Sequence, residues 1–384
     1  MRGKVPHRWL WPLIEWRAGR IGDEVEKLRF LQRVSRFSPP TPRLHLRRVT
    51  MSAVALIAAA LASTSQLSNA VVYGKIRPAI RPAGAGRAAF PDVWLVEQRA
   101  DYEIYSNGLR VERLLEVQGK PRHYGLIDRS APDGGIRLWR SEPAGIVYHA
   151  TESGVAPFAP SENQALKRMG ASVLEYVRER QAYNYLIDRF GRVHRIVRDN
   201  AVANHAGYSV WADSRWLYLN LNASFLGVAF EARSGSGGEA HTLNPAQVHA
   251  GRILTEMLRA RYGIPAANCV THAQVSVNPS NMRVGYHTDW AGNLPFPELG
   301  LEDNYALAPP SISEFGFRYD PAFVKSTGAR LWTGVALAEQ ELRQAAILAG
   351  LPVEEYRKRL ERRYKKTLTA LQAWSAGEER GDES

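Results

Sequence analysis

Short apolar runs alternate with amphipathic helical segments through the middle of the chain, and this alternation limits the fold more than any other feature. The runs GIVYH at 145–149 and FLGVAFEA at 225–232 are short and apolar, as buried strands are. Helix patterns occupy 161–180 and 244–265. Strands that alternate with helices predict an α/β domain, which we place at about 141–305. We expect a mixed central β-sheet flanked by helices.

The ends of these predicted elements carry their own signals. Ser161 can cap the first helix, and Asn244 suits the N-cap of the second, where Gly263 suits the C-terminal stop. The sequence YNYLIDRFGRVHRIV at 183–197 predicts a hairpin that turns near Phe190 and Gly191. NCVTHAQV at 268–275 predicts a further strand.

Extensions flank this domain on both sides. Residues 92–140 contain strand-like alternation and an Asn-Gly pair at 107–108, so they predict a small β-rich lead-in. Residues 306–384 form a C-terminal extension with helices predicted at 335–349 and 353–373. The final residues, GEERGDES, are polar and predict a disordered tail.

The basic character of the chain lies mainly at its beginning. Of the net charge of +12, residues 1–50 contribute +8 from twelve Lys/Arg and four Asp/Glu. A segment at 51–74 follows with no charged residue, and a Pro/Gly/Ala-rich linker occupies 75–91. A short apolar run after basic residues predicts a signal-like or membrane-anchor segment, and the alternative is a buried Ala-rich helix. We expect export to the periplasm or cell envelope, with inner-membrane association through this segment. We expect no nucleic-acid partner, because the charge precedes the apolar run and no aromatic-basic RNA motif occurs.

Three residues remote in sequence are candidates for a metal site. His149 ends one predicted strand, His272 lies in another, and Asp289 follows a loop rich in Asn, Pro and Gly that can return the chain to His272. A catalytic zinc takes three protein ligands of this kind and keeps a fourth position for water. The spacing alone leaves the usual alternative open, in which each histidine is an ordinary core or surface residue.

Four successive motifs resemble those of one family. GIVYHATES, YNYLIDRFGRVHRIVRDNAVANHAG, NASFLGVAFEA and THAQV…GYHTDW are similar, in content and order, to motifs of the zinc N-acetylmuramoyl-L-alanine amidases of the type-2 amidase and peptidoglycan-recognition-protein superfamily. The resemblance covers about 145–297. It implies that His149, His272 and Asp289 bind Zn²⁺. An alternative makes His287 the third ligand, with Asp289 orienting it.

The resemblance also implies roles for other residues. His287 stands where many members have a lysine that stabilises the developing oxyanion, and Tyr183 matches a tyrosine near the zinc-bound water. His205 and Asn184 are assigned to substrate binding. Recycling-type members carry a glutamate where this chain has Ala229, and Glu231 is the nearest carboxylate, two residues on and on the same strand face. We include Glu231 among the candidate catalytic residues, with a role behind the ligands as the alternative.

The remaining histidines and the single cysteine receive ordinary assignments. His194 is expected on the surface, His241 and His249 are expected to be solvated, and Cys269 is expected to be a small buried strand residue. Tyr183 has the alternative role of a core aromatic, and His205 that of a loop cap.

The resemblance implies an enzyme that acts on peptidoglycan or muropeptides. The expected reaction is hydrolysis of the amide bond between N-acetylmuramic acid and L-alanine by zinc-activated water. One alternative is a module of the same fold that binds peptidoglycan without cutting it. Another keeps the enzyme but places it in the cytoplasm, acting on recycled wall fragments.

Overall fold

The computed structural model describes residues 92–235, 243–328 and 331–381. The basic arm, the apolar segment at 51–74 and the linker at 75–91 lie outside the described residues, so what the sequence predicts for them stays a prediction. Among the described residues, no helix combines the length and the apolar character needed to cross a membrane.

An eight-stranded mixed β-sheet forms the centre of the fold, which confirms the predicted fold class. Numbered in chain order and given in spatial order, its strands are β1 (Leu95–Gln98), β2 (Tyr102–Tyr105), β3 (Arg110–Glu112), β8 (Val193–Arg195), β7 (Tyr185–Ile187), β11 (Phe225–Phe230), β6 (Gly145–Ala150) and β12 (Cys269–Thr271). Strands β7, β11, β6 and β12 run parallel to one another, and β7 and β8 form the predicted hairpin.

The register of the parallel strands brings two histidines together at one edge of the sheet. Thr271 of β12 is the register partner of Tyr148 of β6. The next residues are His149, still in β6, and His272, directly after β12, and their ring centroids lie 4.4 Å apart. They leave the sheet at the carboxyl ends of parallel strands, which is where ligand sites form in α/β folds.

The one-turn helix α2 (Leu221–Ser224) leads into β11, and longer helices cover both faces of this sheet. Helix α3 (Pro245–Tyr262) packs on the face of Tyr148, whose hydroxyl lies 2.7 Å from Thr255 Oγ1. Helix α1 (Asn163–Glu179) covers the other face, where its buried Val177 packs in one cluster with Ala229. Ala229 is the register partner of His149, so His149 lies on the α1 face of the sheet.

The predicted β-rich lead-in contributes strands to two sheets. Strands β1 to β3 extend the central sheet, since β3 pairs in parallel with β8. A second, antiparallel sheet has the order β5 (Ile136–Arg140), β4 (Tyr124–Asp128), β10 (Trp216–Tyr218) and β9 (Trp211–Ala212). The turn between β2 and β3 contains Gly108 at φ +85°, as the Asn-Gly pair predicts. Strands of the lead-in are therefore hydrogen-bonded to strands of the predicted catalytic domain.

The C-terminal extension is helical. The short helices α5 (Pro310–Ser313) and α6 (Pro321–Ser326) precede α7 (Thr333–Leu348) and α8 (Val353–Gly381), and the last two confirm the predicted pair. Tyr364 of α8 packs its ring against Phe315 and Phe317, with ring centroids 5.6 and 4.8 Å away. Helix α8 continues beyond residue 373 into the tail, so the prediction of disorder is wrong as far as Gly381.

The signals at the helix ends were reliable for one helix and not for the other. Asn244 caps α3 and accepts a hydrogen bond from Gln247 N at 3.0 Å, and Gly263 ends the helix at φ +61°, as predicted. The cap predicted at Ser161 is wrong. A 3₁₀ turn occupies 160–162, so α1 begins later, and no side chain caps it.

Candidate metal centre

The central sheet holds His149 rigidly. It is the penultimate residue of β6, pairs in register with Ala229 of β11, and is only 1% exposed. A side chain on a central parallel strand has little freedom, because both neighbouring strands and the packing on its face fix its direction.

His272 opens a one-turn helix, α4 (His272–Val275), so the prediction of a continuous strand at 268–275 is wrong. Strand β12 ends at Thr271, whose hydroxyl accepts from Gln274 N while the Gln274 side chain accepts from Thr271 N at 2.9 Å. Thr-x-x-Gln is the sequence pattern of such a capping box, and it was available as a signal. The cap stops the strand and turns the chain, and the ring centroid of His272 then lies 4.4 Å from that of His149.

Asp289 reaches the two histidines because the loop after α4 returns, as the sequence predicts. The backbone oxygen of Asp289 accepts from Ala273 N at 3.2 Å. The next residue, Trp290, is fully buried at φ +57° and donates its backbone N–H to Ser234 Oγ at 2.9 Å. This buried tryptophan fixes the end of the loop and therefore the position of the carboxylate.

Within the described ranges, His149, His272 and Asp289 form a group whose potential ligand atoms all lie within 4.8 Å of one another. Asp289 Oδ1 lies 2.9 Å from His272 Nδ1, and Oδ2 lies 3.2 Å from His149 Nδ1. Atoms that ligate zinc tetrahedrally at about 2.0–2.2 Å stand roughly 3.3 Å apart, so these separations fit a shared metal ion. Two imidazoles and one carboxylate also form a known ligand set for catalytic zinc.

The electrostatics favour the metal-binding forms of Asp289 and His149. Burial opposes the charge of Asp289, but the neighbouring His272 and His149 outweigh it and hold the pKa of the carboxyl well below its usual range. Burial, together with the charge of His272, lowers the pKa of His149 to about 4. At neutral pH Asp289 is therefore ionised and His149 is neutral, which are the forms that bind a metal.

His205 lies directly behind His149. Its Nδ1 is 3.2 Å from His149 Nε2, and its own Nε2 is 3.3 Å from the carbonyl oxygen of Phe225. Three successive backbone N–H groups, beginning with that of His205, donate to Asn222 Oδ1 and fix this loop. Burial and the adjacent His149 hold the pKa of His205 well below its usual value. The structure thus brings His205 to a proposed ligand as well as to the groove described below.

His287 stacks on His272 and stays exposed. The two rings are 4.5 Å apart and inclined by 17°, and the backbone N–H of His287 donates to Ser276 Oγ at 2.8 Å. Burial of one side and the charge of His272 lower its pKa, while Asp289 acts in the opposite direction. The carboxylate that lies between both imidazoles is that of Asp289, so the geometry does not favour His287 as the third ligand.

The ring of Tyr183 also lies beside that of His149. Its ring centroid is 5.0 Å from that of His149, and its backbone is in the left-handed region at φ +64°. A bulky residue in this region is strained and often belongs to a functional site. Burial and the charge of Asp289 raise the pKa of its hydroxyl, so it is a protonated donor at neutral pH.

Two grooves border this centre, one lined by His272 and the other by Tyr183, whose ring lies beside that of His149. The His287 groove, about 410 Å³, is lined by His272, His287, Tyr286, Ser276 and residues 204–209, among others. The Tyr183 groove, about 910 Å³, lies between Tyr183, Thr151 and residues 172–180 of α1. Asn204 borders both grooves. Each groove also has an exposed tyrosine, Tyr286 at 62% and Tyr176 at 59%, so an elongated ligand could lie across the centre between aromatic rings.

Comparison with known families agrees with this site. Residues 139–289 match the family model described as N-acetylmuramoyl-L-alanine amidase, the type-2 amidases. This part of the chain is similar to that family. The matched region begins within β5 and ends at Asp289, so it contains all three residues of the candidate metal group. We call it the amidase domain.

Several solved structures are similar to part of this chain. They include the amidase LysC from Clostridium intestinale (21% identity, 48% of this chain and 93% of that one, TM-score 0.27). Others are AmiD from E. coli in complex with an anhydro-N-acetylmuramic acid peptide substrate (20%, 46% and 65%, TM-score 0.32) and the Drosophila peptidoglycan recognition protein SD (17%, 42% and 84%, TM-score 0.26). The curated proteins searched contain no match.

Glu231, predicted as a candidate catalytic residue, makes its contacts away from the centre of the amidase domain. Its side chain accepts from Arg189 N at 3.1 Å and approaches Gly170 of α1. Burial raises its pKa, with the Arg189 backbone hydrogen bond acting in the opposite direction. The structure gives Glu231 the place of a buried carboxylate under α1, so neither of its predicted roles gains support.

Asn184 also lies outside the groove, and its assignment to substrate binding is corrected. The residue is fully buried. Its side-chain nitrogen is within hydrogen-bonding distance of the carbonyls of Val197, Arg198 and Ala201, and its oxygen accepts from Gly227 N at 3.0 Å. These bonds tie the hairpin strand to β11, so Asn184 supports the sheet and does not face a ligand.

Some predictions for the other histidines and the cysteine are confirmed, and one is wrong. His194 is 8% exposed and lies 3.3 Å from Asp188 Oδ2, so the prediction of a surface residue is wrong. His249 is exposed and Cys269 is fully buried, as predicted. His241 lies outside the described residues.

Sequence reasoning missed two residues behind the metal group. The buried Arg122, from the lead-in, donates to the carbonyl oxygen of Phe225 at 2.9 Å, the same oxygen that His205 faces. Gly227 of β11 leaves the space in which the His205 ring lies. A glycine inside a predicted strand often marks such a close approach and could have pointed to it, whereas no local signal points to Arg122.

Proposed function

We propose that the amidase domain is a zinc hydrolase that cleaves the amide bond between the lactyl group of N-acetylmuramic acid and L-alanine of the stem peptide. The observation that carries this proposal is the convergence of His149 Nδ1 and His272 Nδ1 on the Asp289 carboxylate, beside a groove that His272 lines. Similarity to the amidase family model supports the choice of this bond, and the metal group supports hydrolysis by a metal-activated water.

His149, His272 and Asp289 would hold the metal. Bound zinc supplies a hydroxide source at neutral pH and polarises a carbonyl oxygen. With Asp289 ionised and His149 neutral at neutral pH, these two ligands need no loss of protons when zinc binds there.

His287 and Tyr183 flank the position of the scissile amide. His287 is exposed in its groove and can direct a ring N–H at the carbonyl oxygen as negative charge develops there. Tyr183, beside His149, can orient the attacking water and pass its proton to the leaving amine. Hydrolysis adds the water oxygen to the carbonyl carbon, breaks the C–N bond, and leaves a carboxylate and a free L-alanine amine.

The substrate is peptidoglycan or a muropeptide derived from it. The His287 groove and the Tyr183 groove, which share Asn204, suit a substrate with a sugar on one side of the amide and a peptide on the other. The exposed Tyr286 and Tyr176 offer aromatic faces for such a ligand. Action at the cell envelope is part of the proposal and rests on the basic arm followed by the charge-free segment at 51–74.

A non-catalytic binding module of the same fold is the rival function. Such modules usually lack a zinc ligand, and here all three candidate ligands come together within the described residues. That observation favours the enzyme.

Digestion of purified sacculi tests the proposal. Zinc-loaded protein should release stem peptides with a free N-terminal L-alanine and leave glycan strands whose muramic acid residues carry free lactyl carboxylates, both identified by mass spectrometry. The His149→Ala variant should release none, and His249→Ala, a change at an exposed histidine of α3, should act like the wild type. Binding to sacculi without release of peptides by the wild type would favour the binding module.

A further inference from the structure

We infer that His205 is a positioning residue for the metal site. It accepts a hydrogen bond from Nε2 of His149, which leaves Nδ1 of His149 with a lone pair for zinc. The inference rests on the zinc site proposed above and assigns His205 a function beyond lining the groove.

The hydrogen-bond directions follow from a fixed acceptor. The carbonyl oxygen of Phe225 can only accept, so Nε2 of His205, 3.3 Å away, is the donor. A neutral imidazole has one donor and one acceptor nitrogen, so Nδ1 of His205 accepts. The atom that faces it at 3.2 Å, Nε2 of His149, must therefore carry hydrogen. The hydrogen on Nε2 leaves Nδ1 of neutral His149 bare.

The bare nitrogen is the one that faces the carboxylate. His149 Nδ1 lies 3.2 Å from Asp289 Oδ2, and two lone pairs at this distance repel each other unless a cation lies between them. The hydrogen-bond chain from Phe225 thus prepares the arrangement that a metal ion completes.

The opposite direction would require His205 to carry hydrogen on both ring nitrogens, as a cation. The guanidinium of Arg122 donates to the same Phe225 oxygen at 2.9 Å. A cationic His205 would share that oxygen with a second cation in a buried setting, and the Coulomb cost of such a pair is high. Arg122 therefore favours the neutral form of His205.

The position of His205 is also built into the sheet. A Cβ added to Gly227 would lie 2.7 Å from His205 Cγ, so the ring packs directly on the backbone of β11. The backbone of His205 donates to Asn222 Oδ1 at 2.9 Å. The ring therefore packs on β11, and the hydrogen bond to Asn222 fixes the backbone of His205.

Zinc affinity and the protonation pattern of His149 test this inference. Affinity is measured by competition with a chelator for the wild type, His205→Ala, His205→Asn and the control His249→Ala. The ring nitrogens of His149 are observed by ¹⁵N NMR in the zinc-free and zinc-loaded wild type.

We expect His205→Ala to weaken zinc binding by about 10–100-fold, the usual effect of losing a partner behind a metal ligand. His205→Asn keeps an acceptor at the position of Nδ1 and should stay within a few-fold of the wild type, as should His249→Ala. In the wild type, His149 should carry its hydrogen on Nε2.

The outcomes separate the inference from the proposed function. A wild type that binds no zinc would contradict the metal site and the inference with it. Tight zinc binding by the wild type with equally tight binding by His205→Ala would overturn the inference alone. Should His205→Ala fail to fold, the wild-type spectrum decides, because hydrogen on Nδ1 of His149 in the zinc-free protein contradicts the inference.

Discussion

A Cβ on Gly227 would lie 2.7 Å from Cγ of His205, closer than real side-chain contacts, so β11 has no room for any side chain at this point. Gly227→Ala should push the His205 ring away from His149 and weaken zinc binding by about ten-fold, the lower end for a lost partner behind a ligand. Overpacking should also cost about 1–3 kcal/mol of unfolding free energy. Chelator competition and thermal unfolding measure the two effects. The control Gly134→Ala lies at an open position and should change neither.

Asp289→Asn keeps the shape of the side chain and removes its charge. The two imidazoles then lose the anion that holds the metal, and zinc affinity should fall by on the order of a hundred-fold or more, beyond the loss for an outer partner. Calorimetric titration of zinc-free protein measures this affinity. Asp92→Asn, at an exposed position, provides the control. Unchanged zinc binding by Asp289→Asn would exclude Asp289 as a ligand and reopen the alternative of His287.

The capping box at the start of α4 should support the metal site as well as the fold. Thr271→Val removes the hydroxyl that accepts from Gln274 N, which should cost about 1 kcal/mol of unfolding free energy and lower zinc affinity, because His272 begins this helix. Asn244→Ala removes the equivalent cap of α3 and should cost a similar amount. Denaturant unfolding and zinc titration of both variants give the comparison. Equal zinc affinities in the two variants would show that the cap does not position His272.

The buried ion pair between Glu103 and Arg195 should make stability depend on pH. Burial opposes the charge of Glu103, but the hydrogen bond and charge of Arg195 outweigh it, so the pKa of Glu103 is lowered from 4.5. A lowered pKa in the folded state contributes stability above the unfolded value, and this contribution disappears as the pH falls through the folded pKa. Glu103→Gln should therefore lose about 3 kcal/mol at neutral pH, and the difference from the wild type should shrink below about pH 4.5.

Denaturant unfolding of wild type and Glu103→Gln between neutral and acidic pH checks this prediction. The control is Glu97→Gln, since Glu97 pairs with Arg99 at the protein surface and should contribute little. A difference between Glu103→Gln and the wild type that stays constant down to acidic pH would contradict the lowered pKa.

The sequence predicted the parts of the site that depend on local pattern. His149 follows a short apolar run that is a buried strand, and the Asn244 and Gly263 signals placed α3 correctly. The strand prediction for 268–275 failed at His272 because a capping box overrides strand propensity, and this is a local signal that could have been used.

Other features depend on partners remote in sequence and could not be predicted in this way. His194 is buried because its hairpin strand lies between β7 and β3, and the lead-in strand cannot be inferred from the hairpin itself. The amide of Asn184 is hydrogen-bonded to backbone groups of residues 197–201 and of Gly227. These partners cannot be identified from the sequence around Asn184. Arg122 donates to the Phe225 oxygen that His205 also faces, and it does so from a segment that the sequence placed outside the predicted catalytic domain.

Diffraction at the zinc absorption edge from crystals of the zinc-loaded protein tests the central claim most directly. We expect one anomalous peak at about 2.0–2.2 Å from Nδ1 of His149, Nδ1 of His272 and a carboxylate oxygen of Asp289, with a fourth position open to the grooves. A peak bound elsewhere, or no peak at these three residues in zinc-saturated crystals, would contradict the account.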